Sequence, residues 1–193
     1  MELEKIVPFI LSFEGGYVND PTDRGGATNI GVTFGTLRKY REKKGLPAPS
    51  MGTLRNLTRE EWTDILRTRF WDLAGCPLIE DAGLCAMLCD FAWHSGPAQA
   101  GLALQLTYRD AFPSAPALAL DGVVGKNTAA AVNAVPDRRA FFEKYRDRRL
   151  GFLRAIVIQR PSQRKYEKGW NRRVNAIQWQ SLTPNGGKAY RIP

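Results

Sequence analysis

Between Phe13 and Thr33 the chain reads FEGGYVNDPTDRGGATNIGVT, and this stretch holds the residues best suited to acid–base chemistry. Three carboxylates, Glu14, Asp20 and Asp23, are followed closely by Thr28 and Asn29. Hydrolysis of a glycosidic bond typically needs two carboxyl groups in opposite protonation states. One gives its proton to the leaving oxygen; the other stays ionised, to activate water or to stabilise positive charge on the sugar. Glu14 suits the first role. It stands where an amphipathic helix ends, and the negative end of the helix dipole disfavours a carboxylate there. Its neighbour Phe13 and the apolar helix face favour partial burial, so both effects favour the neutral acid. Asp23 sits in a polar loop and can remain charged, giving two carboxyls tuned apart by their surroundings. Thr28 offers a hydroxyl that can bond a carboxylate or position a water. A Glu before Gly-Gly is also an ordinary residue at a helix end, and the residue types alone leave both readings open.

The elements around this stretch follow from pattern. Residues 2 to 14 read as a helix with Leu3, Ile6, Val7, Ile10 and Phe13 on one face, interrupted by Pro8. Gly15-Gly16 suit a C-terminal cap. The glycine-rich segment that follows is too rich in Gly and Pro for a helix and leaves room for a small hairpin. Thr33 reads as the N-cap of a helix to about Lys44, and residues 45 to 57 as a loop. Thr58 with Glu61 reads as a capping box that opens a helix to about Leu73, with Trp62, Ile65, Leu66 and Phe70 facing inward. Residues 80 to 95 are apolar nearly all round and read as a central buried helix. Gly96-Pro97 breaks it. Helices follow at about 98 to 108, 127 to 134, 137 to 159 and 163 to 181, with a polar tail. Strand signals are few, so the fold reads as mainly α.

Composition narrows the class. The chain has 193 residues, 44% of them hydrophobic, with five Trp and nine Phe, enough for a sizeable core in one domain or two small ones. The net charge is +9, and it is concentrated. Asp137 to Arg173 holds 13 Lys and Arg against 4 Asp and Glu, while the remaining residues hold 15 of each sign. Such a segment attracts a polyanion such as nucleic acid, an anionic membrane or the bacterial wall, or else forms a solvated helix face. Cys76, Cys85 and Cys89 are odd in number and two have helical spacing, so buried thiols are expected rather than a disulfide framework. With His94 as the single histidine and no CxxC, no metal site and no cofactor are expected. The acidic start MELEKIVPFILSF does not read as a signal peptide, and no apolar run is long enough for a membrane span.

The motifs resemble a known family. Glu14-Gly15-Gly16-Tyr17, Asp20-Pro21, Asp23, Gly25-Gly26, Thr28-Asn29 and Gly31-Val32-Thr33 resemble the signature of glycoside hydrolase family 108, N-acetylmuramidases with a lysozyme-like helical fold. The resemblance implies that Glu14 is the catalytic acid. The Glu, Asp, Thr order is also similar to that of phage lysozymes, which implies roles for Asp23 and Thr28, although Thr28 lies one residue nearer the Asp than in those enzymes. Asp90-Phe91-Ala92-Trp93-His94-Ser95-Gly96-Pro97 resembles the family's D-x-A-x-N-x-G-P stretch, with His94 where Asn is usual. Leu104-Gln105, Asp121-Gly122-Val123-Val124-Gly125, Thr128 and Gly169-Trp170 with Arg173 resemble the predicted peptidoglycan-binding module that accompanies the catalytic part.

The resemblance implies hydrolysis of the β-1,4 bond between N-acetylmuramic acid and N-acetylglucosamine. Glu14, Asp23 and Thr28 are the expected catalytic residues; Tyr17, Asn29, Asp90, Trp93 and His94 are candidates to hold substrate. Tyr17, Trp71 and Trp93 are candidates to pack on sugar rings, or else core. The expected division is a muramidase part over residues 1–95, a peptidoglycan-binding part over 96–182 and a tail over 183–193. The expected partner is peptidoglycan, with no nucleic acid, no stable membrane insertion, and a holin or export partner to carry a monomer from the cytoplasm to the periplasm or wall. A phage endolysin and a dedicated secretion role both fit. Three other functions remain open at this point: a non-catalytic wall-binding or scaffold protein, a lytic transglycosylase, and a nucleic-acid binder built on the basic helices.

Overall fold

The computed structural model describes residues 1–19 and 26–184. Asp20, Asp23 and the tail from residue 185 lie outside the described residues. Within them the expected mainly-α architecture holds, with nine α-helices and two small antiparallel hairpins. Contacts between residues divide the chain into two units. One groups Met1–Ile6 with Phe70–Thr183, and the other is built on Val7–Arg69.

The smaller unit begins within α1 (Leu3–Phe13), which runs through Pro8 without ending. Val7, Phe9, Ile10 and Leu11 are buried, and the solvent side takes Pro8, where the missing N–H costs least. After the glycine-rich segment come β1 (Thr28–Asn29) and β2 (Val32–Thr33), an antiparallel pair. Helix α2 (Phe34–Lys43) starts as expected at Thr33, whose hydroxyl accepts from the Thr36 N–H at 3.1 Å. The expected loop 45–57 contains a helix, α3 (Met51–Arg55). Ser50 and Thr53 cap it reciprocally, a signal present in the sequence and too short to support a helix without the packing of buried Leu54. Thr58 caps α4 (Arg59–Leu66). The expected continuation to Leu73 departs from α geometry, because residues Arg67–Trp71 form one π-turn. Trp62, Ile65 and Leu66 are buried, as their spacing implies. Arg41–Glu61 (2.7 Å) and Lys44–Asp64 (2.8 Å) tie α2 to α4, and the Tyr40 hydroxyl donates to Asp64 at 2.7 Å.

The larger unit is organised around α5 (Ala82–Ser95), capped by Asp81 and buried on all sides from Gly83 to Trp93. It packs against α6 (Pro97–Ala111) and α8 (Arg138–Gln159), with α7 (Lys126–Asn133) and α9 (Arg164–Asn175) completing the helical body. The expected helix over 163–181 is shorter than its pattern. It ends at Asn175, and β3 (Ile177–Gln178) pairs with β4 (Ser181–Leu182). The reason lies outside the segment. The Trp179 indole donates to Asp81 at 2.8 Å, and the Trp179 carbonyl lies 2.0 Å from where a Cβ would stand on Gly83. Only glycine at 83 lets the hairpin reach α5, and a helix through 181 would forgo that contact.

Candidate active site

Glu14 is the first residue after α1 and is half-buried, with its N–H on the Leu11 carbonyl at 3.3 Å. Four residues later Val18 forms a two-bond bridge with Thr28, each N–H donating to the other's carbonyl at 2.8 Å. Thr28 in turn stands opposite Thr33 across the hairpin. The chain thus leaves the end of α1, crosses beside β1 and returns through Gly26, whose carbonyl accepts from the Thr28 hydroxyl at 3.4 Å.

The hairpin is held by its neighbours. Its turn residues Ile30 and Gly31 have φ of 51° and 74°, as a two-residue turn of matching twist requires. For a β-branched residue such as Ile30 this backbone is strained. Burial of the Ile30 side chain helps to hold it, as does the Trp62 indole, which donates to the Ile30 carbonyl at 2.8 Å. Asn29 donates its amide to the Leu54 carbonyl at 2.8 Å and the Arg55 carbonyl at 3.1 Å. Helices α3 and α4 therefore fix the backbone that carries Thr28. Sequence reasoning missed Trp62 as a support, since its spacing showed only an inward face.

Asn29, a candidate to hold substrate, is buried, and its amide nitrogen serves the hairpin. Tyr17 is half-buried with the Arg55 guanidinium 4.5 Å from its ring centroid, a cation–π contact. The Tyr17 hydroxyl and the Asn29 carbonyl oxygen are buried without a hydrogen-bond partner among the described residues. Such atoms are rare in folded proteins and concentrate where a water or ligand group binds. Asp23, the expected second carboxylate, lies outside the described residues.

In the larger unit, Asp90 was also expected to hold substrate, and its surroundings correct this. It has no exposed surface, and Arg149 donates to it at 2.8 Å while Arg173 donates at 2.9 and 2.8 Å. Burial pushes its carboxyl up, but the two guanidinium charges outweigh burial and hold it down at about 2. It is the internal counter-ion of two basic helices. The signal for this was present: a carboxylate on an otherwise apolar helix demands cationic partners, and the excess of arginine lay in the segment that supplies them. His94 is half-buried, with Nδ1 3.1 Å from the Ser95 hydroxyl. Burial first, then the nearby Arg149 and Arg173 charges, push it down to about 4. Trp93 is buried with its ring 4.8 Å from Phe70, and Trp71 is buried as well, so of the three aromatic candidates Tyr17 keeps the most surface.

The cysteines are free, buried thiols, and burial pushes Cys76 up. Among the described residues no group of three or more His, Cys, Asp or Glu side chains is gathered as a metal ion requires. Nor is any helix among them long and apolar enough to cross a membrane.

Comparison with known proteins bears on this arrangement as a whole. Residues 7–96 match the family model described as glycosyl hydrolase 108, and residues 103–175 match one described as a predicted peptidoglycan domain. The first match contains Glu14, Thr28, Asp90 and His94; the second contains α7, α8 and α9. No curated protein sequence matches the chain. Among solved structures, that of Brucella abortus SagA aligns with a TM-score of 0.74 and 32% sequence identity, over 97% of this chain and 98% of that one. The chain therefore belongs to the glycosyl hydrolase 108 family, and it is a glycoside hydrolase of the N-acetylmuramidase type that acts on peptidoglycan.

Proposed function

We propose that Glu14 is the general acid that cleaves the β-1,4 bond between N-acetylmuramic acid and N-acetylglucosamine. It donates its proton to the glycosidic oxygen as the bond to the anomeric carbon breaks. Asp23 remains ionised and, with Thr28, serves the anomeric carbon or the incoming water. The observation that carries this reading is the rigid backbone opposite Glu14's segment: Val18 is bridged to Thr28, and Thr28 rides on a hairpin fixed by Asn29 and Trp62. Catalytic groups need such support, since small misplacements cost large factors in rate. Tyr17, with its buried hydroxyl and the Arg55 cation on its ring, is the residue of this unit best supported as a sugar contact. The function divides between a catalytic part over residues 1–95 and a wall-binding part over 96–182.

The substrate sets the place of action at the cell wall, in the periplasm or beyond. A transport partner delivers the chain there: a holin, if it serves as a phage-type endolysin, or a dedicated export route. One chain carries all three catalytic groups, so a monomer suffices.

The experiment is digestion of purified peptidoglycan by the wild type and by Glu14→Gln, with products read by mass spectrometry. New reducing ends from the wild type, reduced by about 100-fold to 10,000-fold in the variant, are expected. Anhydromuramic ends would instead indicate a lytic transglycosylase. Equal binding to the wall without cleavage by either protein would overturn the catalytic roles in favour of a scaffold.

A further inference from the structure

Helix α9 carries an aromatic face to which the hydrolytic mechanism gives no task. Tyr166 and Trp170 stand one turn apart, with ring centroids separated by 5.9 Å and planes 27° from parallel. His94, near the end of α5, meets Trp170 edge-on at 5.5 Å. Tyr166 is 46% exposed, far more than a core aromatic. The Lys165 ammonium lies 4.9 Å from its ring centroid, and Arg164, Lys168 and Arg172 on the same helix are exposed. Farther along, the buried Arg173 anchors α9 to Asp90, so the exposed Tyr166 ring and the half-buried Trp170 ring stand on a fixed support.

A second feature leaves the same place open. Gly169 lies within α9, three residues after Tyr166 and so beside it on the helix surface. Glycine inside a helix is destabilising relative to alanine. Here no contact among the described residues explains it, because a Cβ at 169 would meet none of their atoms within 4 Å. A bare backbone beside the Tyr166 ring leaves room for a ligand to approach it.

We propose that Tyr166 and Trp170, flanked by His94 and bared by Gly169, form a sugar-stacking site for the glycan strand of peptidoglycan, with the basic residues of α9 meeting the carboxylates of its stem peptides. Pyranose rings present apolar C–H faces that pack on aromatic rings, and the peptides carry negative charge that Lys165 and its neighbours complement. His94, held down at about 4 by burial and by Arg149 and Arg173, meets Trp170 as a neutral ring at wall pH. Stacked rings amid cations also suit a single-stranded nucleic acid. The glycan is favoured because α9 lies within residues 103–175, which match the predicted peptidoglycan domain. The proposal rests on the reading of the chain as a peptidoglycan hydrolase.

The test is co-sedimentation with purified sacculi, in a Glu14→Gln background that leaves the strands intact. Tyr166→Ala is expected to weaken binding about tenfold, and Tyr166→Phe to preserve it. Gly169→Ala is expected to raise the melting temperature by about 2 °C and yet to weaken binding about threefold. A merely structural glycine would leave binding unchanged. Sedimentation of Tyr166→Ala and Gly169→Ala at the parent's level would overturn the site, as would tighter binding of oligothymidine than of sacculi with loss in the same variants. Failure of the wild type to release reducing ends is a separate result: it defeats the catalytic reading and leaves the sedimentation comparison intact.

Discussion

Two carboxylates drew attention in the sequence, and the two units treat them in opposite ways. Glu14 follows α1 in the smaller unit, half-buried, and the nearby hairpin is held by backbone carbonyls of α3 and by the Trp62 side chain of α4. Asp90 lies in the middle of α5 in the larger unit, with no exposed surface and two arginines on its oxygens. A group that must exchange a proton with substrate needs access and a fixed neighbourhood. A group that must remain an anion for the sake of the fold needs burial and permanent cations. Both stretches belong to the family's matched region, yet only the first leaves its carboxylate open to solvent.

The comparison can be broken most sharply by exchanging activity for stability. Glu14→Gln should remove about 3 to 5 kcal/mol of transition-state stabilisation, read as the loss of new reducing ends, with the melting temperature as control. Asp90→Ala should do its damage in folding. It leaves two guanidinium groups buried without their anion, and a loss of about 3 to 5 kcal/mol is expected by denaturant titration. Were Asp90→Ala to abolish cleavage while leaving stability intact, the structural assignment of Asp90 would fail.

The pH dependence of stability sharpens the same contrast. His94 is held down at about 4, below its ordinary value near 6.5. The unfolded chain therefore binds more protons than the folded one between those values, and stability falls as pH drops through that window. Asp90, held at about 2, continues the loss below its ordinary value of 3.8. The His94 contribution is at most about 3 kcal/mol. His94→Asn should flatten the fall between pH 6.5 and 4 while leaving the loss below pH 3.8, as followed by melting temperature against pH. The smallest effect belongs to the hairpin. Asn29→Ala leaves the Leu54 and Arg55 carbonyls without their amide donor, and about 1 to 3 kcal/mol of stability should be lost. Cleavage should fall with it if the hairpin positions Thr28.

The basic segment shows how charge counts mislead. Thirteen Lys and Arg between Asp137 and Arg173 suggested an outward field. Arg149 and Arg173 are turned inward to Asp90, and Arg138, Arg146 and Arg148 pair with Glu80, Asp147 and Asp110. Charge that is paired inside or along the surface contributes little to steering a distant polyanion. The part of α9 that carries Tyr166 keeps its exposed basic residues beside aromatic rings, which is a more specific feature than the net charge.

What the sequence determined was local. The apolar run over 80–95, the caps at Thr33 and Thr58, and the glycine-rich break after Phe13 depend on a few adjacent residues, and each stands where its pattern implied. The carboxylate at the end of α1 was legible for the same reason. Only the tertiary structure decided the rest. The hairpin over 177–182 replaces the end of a helix because Trp179 finds Asp81 and Gly83 nearly a hundred residues away. Asn29 and Asp90 are polar residues at positions that read as ligand contacts. The backbone carbonyls of α3 and the guanidinium groups of α8 and α9 claim them instead. A polar side chain cannot be buried without partners, and those partners are brought to it by packing between elements far apart in the chain.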